Sequence, residues 1–342
     1  MPAITRVLIV DDSAAMRQLL SKILSSDPAI EVVGVAADPY IARDKIKDLR
    51  PDVLTLDVEM PRMDGLTFLE KLMRSHPMPV VMVSSLTQKG CDITMRALEL
   101  GAVDFFPKPT IDVLHGVAEA ALDIIAKVKT ASLARIKGKA ASSPPAEMPK
   151  SGFRMTDRLI AIGASTGGTE AIREVLTAMP SDAPGIVVVQ HMPAGFTASF
   201  AQRLDSLCRI KVKEAQDKDR VLSGHALIAP GGLHTAVVRS GAQYSVRVYD
   251  APPVNRHRPS VDVLFDSFAE HVKGNAVAAI LTGMGDDGAR GMRRMHDVGV
   301  RTFAQDEASC VIFGMPKEAI AHGGVDHVVP LDQIATRLLT AA

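Results

Sequence analysis

Leu159-Ile160-Ala161-Ile162-Gly163-Ala164-Ser165-Thr166-Gly167-Gly168 is the stretch on which the reading of this chain turns. Its apolar first half predicts a buried strand. Beyond the glycines, Ala171, Ile172, Val175, Leu176 and Met179 recur at helical spacing, so the strand passes through a tight turn into an amphipathic helix. Units of this kind build parallel sheets and place the chain in the α/β class. A serine between glycines at such a turn is where an acyl-transfer enzyme displays a nucleophile. The turn clears space beside the hydroxyl, and the helix N-terminus favours developing negative charge. Similar turns also cradle phosphates or simply pack, so the stretch alone leaves both readings open.

Working outward, the same alternation of short apolar strands and amphipathic helices runs through both halves of the 342 residues. Between them, residues 131–153 are rich in Ala, Ser, Pro and Lys, including Ser142-Ser143-Pro144-Pro145. Such a segment buries too little apolar surface to offset its ordering entropy and reads as a linker. The predicted organisation is residues 1–130, a linker over 131–153, and residues 154–342, with mostly parallel sheets in both domains.

Lys+Arg and Asp+Glu both number 39, so bulk charge draws the chain to neither nucleic acid nor membrane. The absence of Trp and the presence of only 3 Tyr also argue against a base-stacking surface. No helix-turn-helix pattern or basic stripe follows the linker, which argues against a DNA-binding output. Cys91, Cys208 and Cys310 lie far apart, in no metal-ligand spacing, and read as reduced thiols. No charged-then-apolar leader precedes the first strand. The expectation is a cytoplasmic protein without signal peptide, transmembrane helix or direct membrane insertion.

In the first half, Val7 to Val10 runs into Asp11-Asp12, Val53 to Leu56 into Asp57, and Val80 to Val83 into Ser84-Ser85. The run Val103 to Phe106 leads to Lys108-Pro109. Open parallel sheets gather functional groups at the carboxyl ends of their strands. Three carboxylates at one edge repel unless a cation sits among them, so Asp11, Asp12 and Asp57 suggest an Mg²⁺ site. With the cation and Lys108 neutralising a phosphoryl donor, one carboxylate can act as nucleophile.

Val10-Asp11-Asp12-Ser13, Leu56-Asp57-Val58-Glu59-Met60-Pro61, Asp64-Gly65, Val83-Ser84-Ser85 and Lys108-Pro109 together resemble the receiver domain of bacterial response regulators. The resemblance implies a flavodoxin-like fold, Asp57 as phosphoacceptor, and Asp11 and Asp12 as Mg²⁺ ligands. It makes Ser84 the hydroxyl that follows the phosphoryl group, Lys108 its counter-charge, and a sensor histidine kinase the phosphodonor. The aromatic switch residue of many receivers has no match here, and Phe105 and Phe106 read as core.

A nucleophilic serine needs a base. His191 follows Ile186-Val187-Val188-Val189, the next predicted strand after the Ser165 turn, and parallel neighbours would set the two side by side. His225, His257, His271 and His296 fall on loops or amphipathic helices, where an exposed or satisfied histidine is the default. A further apolar strand, Ala276 to Leu281, is followed by Thr282-Gly283-Met284-Gly285-Asp286-Asp287-Gly288. It brings an acid to the same edge. Spacing alone leaves Asp286 and Asp287 equivalent.

With Gln190-His191-Met192, Ala229-Pro230-Gly231-Gly232-x-His234 and Arg258-Pro259-Ser260-Val261-Asp262-Val263-Leu264-Phe265 added, the whole chain outside linker and termini resembles the chemotaxis protein-glutamate methylesterases. That resemblance implies a doubly wound catalytic domain with a Ser165, His191, Asp287 triad and the Met284 backbone amide in the oxyanion hole. The implied activity is phosphorylation-regulated serine esterase hydrolysis of glutamyl methyl esters on methylated chemoreceptors, with deamidation of certain glutamines. No cofactor is implied in the catalytic half. An ordinary α/β-hydrolase would instead order its triad Ser, acid, His, and would need His296, His322 or His327 as base.

Overall fold

A computed structural model of the chain describes residues 4–109, 116–134 and 158–341. Two compact units divide it, Met1–Ala141 and Ser142–Ala342. Within the expected linker, residues 135–153 lie outside the described residues, and a helix continues through its first two positions.

The first unit alternates strand and helix throughout: β1 (Thr5–Val10), α1 (Ala14–Leu24), β2 (Ile30–Ala36), α2 (Pro39–Leu49), β3 (Val53–Asp57), α3 (Gly65–Ser75), β4 (Val80–Ser84), α4 (Gln88–Glu99), β5 (Asp104–Pro107) and α5 (Gly116–Ser132). The strands form one sheet in the order β2-β1-β3-β4-β5, every pair parallel. This is the flavodoxin-like arrangement, with its switch point between β1 and β3, where the acidic ends of those strands meet. Side chains at helix starts fix where each helix begins. Ser13 accepts from Met16 N–H, Asp64 from Thr67 N–H and Thr87 from Gly90 N–H. Phe105 and Phe106 are both buried, as expected for core residues.

The second unit holds β6 (Leu159–Ala164), α6 (Gly168–Thr177), β7 (Gly185–Gln190), α7 (Phe196–Leu207), β8 (Lys211–Glu214), β9 (His225–Ile228), β10 (His234–Ser240), β11 (Gln243–Tyr249), α8 (Val261–His271), β12 (Ala276–Ile280), α9 (Ala289–Asp297), β13 (Arg301–Gln305), α10 (Met315–Ala321), β14 (His327–Val329) and α11 (Leu331–Ala341). Seven strands pair in parallel in the order β14-β13-β12-β6-β7-β9-β8. Succession runs outward from β12 on one side and from β6 to β7 on the other, with β9 inside β8, so a crevice opens at the carboxyl ends of these central strands. The departure from the predicted parallel pattern is the hairpin β10-β11, whose strands pair antiparallel in a small sheet of their own.

β6 is buried along its whole length, and β7 and β12 likewise. α8 lies against this sheet with Val261, Phe265 and Phe268 fully covered. Truncating such a phenylalanine to alanine typically costs about 3–5 kcal/mol. The approach is close enough that a Cβ added to Gly163 would lie 2.2 Å from Val261 Cγ1. Gly167 is crowded as well, a Cβ there lying 2.6 Å from Val311 Cβ, and has a second reason to be glycine. Its φ of 77° lies in the left-handed region, where it ends the turn and starts α6. Among the described residues no helix is long and apolar enough to cross a membrane.

Candidate active site

In the sheet Ala164 pairs with Gln190, so Ser165 and His191 are the first residues beyond the paired ends of β6 and β7. The last rung is a bond from His191 N–H to Ala164 O, 3.1 Å long. On the other side Ser165 N–H donates to Thr282 O, at the end of β12, at 3.0 Å. Three central strands thus deliver Ser165, His191 and the loop carrying Asp286 and Asp287 to one edge.

That loop places the adjacent aspartates in different surroundings. Asp286 is exposed, whereas Asp287 is 1% exposed with its Oδ2 2.7 Å from His191 Nε2. Asp287 Oδ2 also accepts from Val261 N–H at 2.6 Å. Its Oδ1 accepts from Ser260 Oγ and Asn255 Nδ2, both at 2.7 Å, and from Asp262 N–H at 3.2 Å. Val261 and Asp262 open α8 and Ser260 caps it, so the carboxylate sits on a helix N-terminus, where negative charge is favoured. Burial pushes its pKa up. The His191, Asn255 and Ser260 hydrogen bonds outweigh burial and hold it well below the usual carboxylate range.

An ionised Asp287 can only accept, so the proton of the 2.7 Å contact belongs to His191 Nε2. In the neutral ring the other nitrogen, Nδ1, is then an acceptor. It is buried and has no hydrogen-bond partner. The His191 ring is also covered by the ring of His257, stacked at 3.7 Å between centroids and 10° from parallel. Sequence reading passed over His257, Asn255 and Ser260 as ligands of this site. Of the three only Ser260 fell within a motif visible in the sequence, and nothing in its periodicity assigned it a partner.

The strand-end loop also supplies backbone. Gly283 abuts the serine so closely that an added Cβ would lie 2.7 Å from Ser165 Cβ. Among the described residues, the N–H of its neighbour Met284 meets no acceptor. The alternative bases lie in other surroundings. His296 Nε2 is 3.3 Å from Asp326, His322 bonds Glu318 O in its own helix, and the His327 ring packs on Phe303.

A second cluster occupies the first unit. One ligand atom from each of Asp11, Asp12 and Asp57 lies within 4.8 Å of the others. Lys108 Nζ donates to Asp57 Oδ2 at 2.9 Å. Asp11 Oδ1 accepts from Ser13 N–H at 2.8 Å, while its Oδ2 is buried without a partner. Burial first, then the charge of Asp57, push the Asp11 carboxyl up to about 6. Burial likewise raises Asp57 despite the Lys108 bond. Lys108 is desolvated too, but Asp57 more than compensates and its pKa rises. Crowded oxygens, an orphaned carboxylate oxygen and carboxyls reluctant to ionise fit a hard divalent cation. Ser84 stands apart from this group. Its Oγ donates toward Gly90 O at 3.2 Å and accepts from Thr94 Oγ1 at 2.7 Å.

Comparison with known proteins gives two family matches: "CheB methylesterase" over residues 160–338 and "Response regulator receiver domain" over residues 7–119. A "Protein-glutamate methylesterase/protein-glutamine glutaminase 1" of Geobacter metallireducens is 59% identical over 97% of this chain and 94% of its own length. A "Protein-glutamate methylesterase/protein-glutamine glutaminase" of Salmonella choleraesuis is 58% identical over 98% of this chain and 96% of its own. The crystal structure of the Thermotoga maritima CheB methylesterase catalytic domain matches with a TM-score of 0.53 and 39% identity. It covers 55% of this chain and 100% of that one.

Proposed function

This chain belongs to the CheB methylesterase family and carries a response regulator receiver domain, and from that premise we propose that Ser165, His191 and Asp287 are its catalytic triad. The protein is a protein-glutamate methylesterase and protein-glutamine glutaminase, a hydrolase of chemotaxis regulated by phosphorylation of its receiver. Its substrates in this reading are methylated chemoreceptors, its phosphodonor is a sensor histidine kinase, and its location is the cytoplasm.

His191 Nδ1 takes the proton of Ser165 Oγ as the oxygen attacks the γ-carbonyl carbon of the glutamyl ester. Asp287 keeps the Nε2 proton on the ring and stabilises the imidazolium. The Met284 N–H holds the oxyanion of the tetrahedral intermediate. His191 then returns its proton to the departing methoxide, and methanol leaves. Water, deprotonated by the same nitrogen, cleaves the acyl-enzyme to the glutamate carboxylate and restores Ser165. With a glutamine substrate the first leaving group is ammonia. The single observation that carries this reading is the 2.7 Å His191–Asp287 bond, which leaves a buried, unpartnered Nδ1 at the strand end adjoining Ser165.

In the receiver, Asp57 is the phosphoacceptor, with Asp11 and Asp12 completing the carboxylates that would hold Mg²⁺. The ion supplies positive charge against the oxygens of the incoming phosphoryl group. Lys108 neutralises the same group from the other side, and the Ser84 hydroxyl follows it once Asp57 is modified. The test is methanol release from methylated receptors by the full chain, with and without a small-molecule phosphodonor and Mg²⁺. Release that depends on Ser165 and rises with the phosphodonor supports the reading. Release unchanged in Ser165→Ala removes it.

A further inference from the structure

The ladder that sets β6 beside β7 closes with His191 N–H on the carbonyl of Ala164 and makes no bond to the carbonyl or N–H of Ser165. Ala164 and Gln190 are the last pair. Beyond them one chain turns into α6 and the other into the loop before α7. The Ser165 N–H is committed to Thr282 on the opposite neighbour. No backbone bond therefore ties the nucleophile residue to the residue of the base.

A side chain does. Gln190 is buried at the end of a strand whose other residues are Gly185, Ile186, Val187, Val188 and Val189. Its Nε2 donates to Ser165 O at 2.9 Å and to His191 O at 3.2 Å. A primary amide carries two N–H groups on one nitrogen, which matches two carbonyls. The reverse orientation would set the amide oxygen against both carbonyls, so the hydrogen-bond pattern itself assigns nitrogen to that position. Ser165 O is also held by Gly168 N–H at 2.7 Å, so both its lone pairs are engaged.

The amide oxygen tells the same story from the other end. Gln190 Oε1 is buried with no partner. It occupies the place of a missing side chain, since a Cβ on Gly168 would lie 2.1 Å from it. Strand packing alone would be better served by one more valine or leucine, which leaves no buried acceptor unsatisfied. The amide is kept where its donors reach two carbonyls, and a neighbouring position is kept empty to admit it.

We infer that Gln190 is a positioning residue for the esterase reaction, its side-chain amide cross-tying the carbonyls of Ser165 and His191 and so setting the distance over which the serine proton is transferred. The inference rests on the triad reading above. It concerns geometry between two catalytic residues and leaves substrate contacts untouched, so its mark is a loss in kcat at constant KM. Misplacing reacting groups by an ångström costs about a hundredfold in rate.

The test uses the full chain with methylated receptors, and counts competent sites by the acyl-enzyme burst with an activated ester. Gln190→Glu keeps the shape and loses the donors, and Gln190→Met keeps the length without polarity. Each is expected to lower kcat per titrated site by about ten- to a hundredfold, with KM within about twofold of wild type. Ser165→Ala in the same assay checks the underlying reading: activity there would sink the triad, whatever the Gln190 variants do. With Ser165→Ala inactive, three results overturn the positioning role: wild-type kcat per site, a loss confined to KM, or a loss accounted for by fewer titratable sites and lower thermal stability.

Discussion

His191 meets Asp287 at 2.7 Å, and the carboxylate that receives it is itself seated on the first two N–H groups of α8. The acid is thus held by a helix start, a hydroxyl and an amide before it touches the histidine. Its remaining freedom is small, and Asn255 and Ser260 join His191 in holding it ionised.

Replacing Ser165 by alanine removes one oxygen from a partly buried position whose backbone bonds remain. Methanol release should fall by about a thousandfold or more, with thermal stability close to wild type. Initial-rate assays on methylated receptors, paired with a melting curve, measure both.

Asp287→Asn and Asp286→Asn should behave very differently despite adjacency. The first offers an amide to donors and favours the wrong tautomer of His191, for an expected loss of about a hundredfold or more. The second alters an exposed side chain and should leave kcat near wild type. Equal losses in the two variants would reassign the acid.

The seat of Asp287 also makes a prediction about pH. Its folded pKa is depressed, so its contribution to stability is present above its unfolded value, about 4, and is lost as pH falls toward the folded one. Urea unfolding should show wild type more stable than Asp287→Asn by about 3 kcal/mol at both pH 7 and pH 5. The gap should narrow only below about pH 4.

The acidic cluster of the receiver has the opposite sign. With its pKa raised to about 6, Asp11 costs folding stability as pH rises from about 4 to 6, and a bound cation offsets that cost. Protons and Mg²⁺ compete for this carboxylate. Calorimetric titration should find Mg²⁺ binding about fourfold weaker at pH 5.5 than at pH 7.5, with proton release near pH 6. Asp11→Asn should abolish both the difference and most of the binding.

Asp57→Ala should leave basal esterase activity in place and abolish its response to a small-molecule phosphodonor with Mg²⁺. Lys108→Ala removes the 2.9 Å partner of the same carboxylate and should weaken the response while leaving Asp57 chemically available. Labelled phosphodonor incorporation separates the two variants.

Much of this arrangement was legible in the sequence because parallel strands expose chemistry at one end. Apolar runs ending at Asp12, Asp57, Ser84, Ser165, His191 and the Asp286-Asp287 pair were enough to gather those residues at two sheet edges. What periodicity could not supply was the choice within a pair, or contacts made across the chain. Asp287 is distinguished from Asp286 by the direction of a turn onto α8. Ser260 and Asn255 reach it from 27 and 32 residues away. His257 read as an ordinary loop histidine, since nothing local announces a ring stacked on His191. The alternation of strand and helix also lapses from β8 to β11, four strands in succession, the last two a local hairpin closed at Ser240 and Gln243.

Gly163 and Gly167 flank Ser165 symmetrically, yet they answer to unrelated demands. One yields room to the side chain of Val261, and the other both yields room to Val311, 2.6 Å from where a Cβ would lie, and bends the backbone into an angle that a Cβ would strain. Val261 in turn holds Asp287 through its N–H, so one residue of α8 touches both the strand of the serine and the seat of the acid. What looks like a single chemical signature around Ser165 is here the sum of two tolerances, each owned by a different neighbour. Trimming Val261 to alanine would relax the closest demand at position 163 and leave Phe265, 3.2 Å from an added Cβ, as the remaining constraint on that half of the signature. The spelling of a hydrolase motif in this chain is set, in part, by the girth of a side chain on a distant helix.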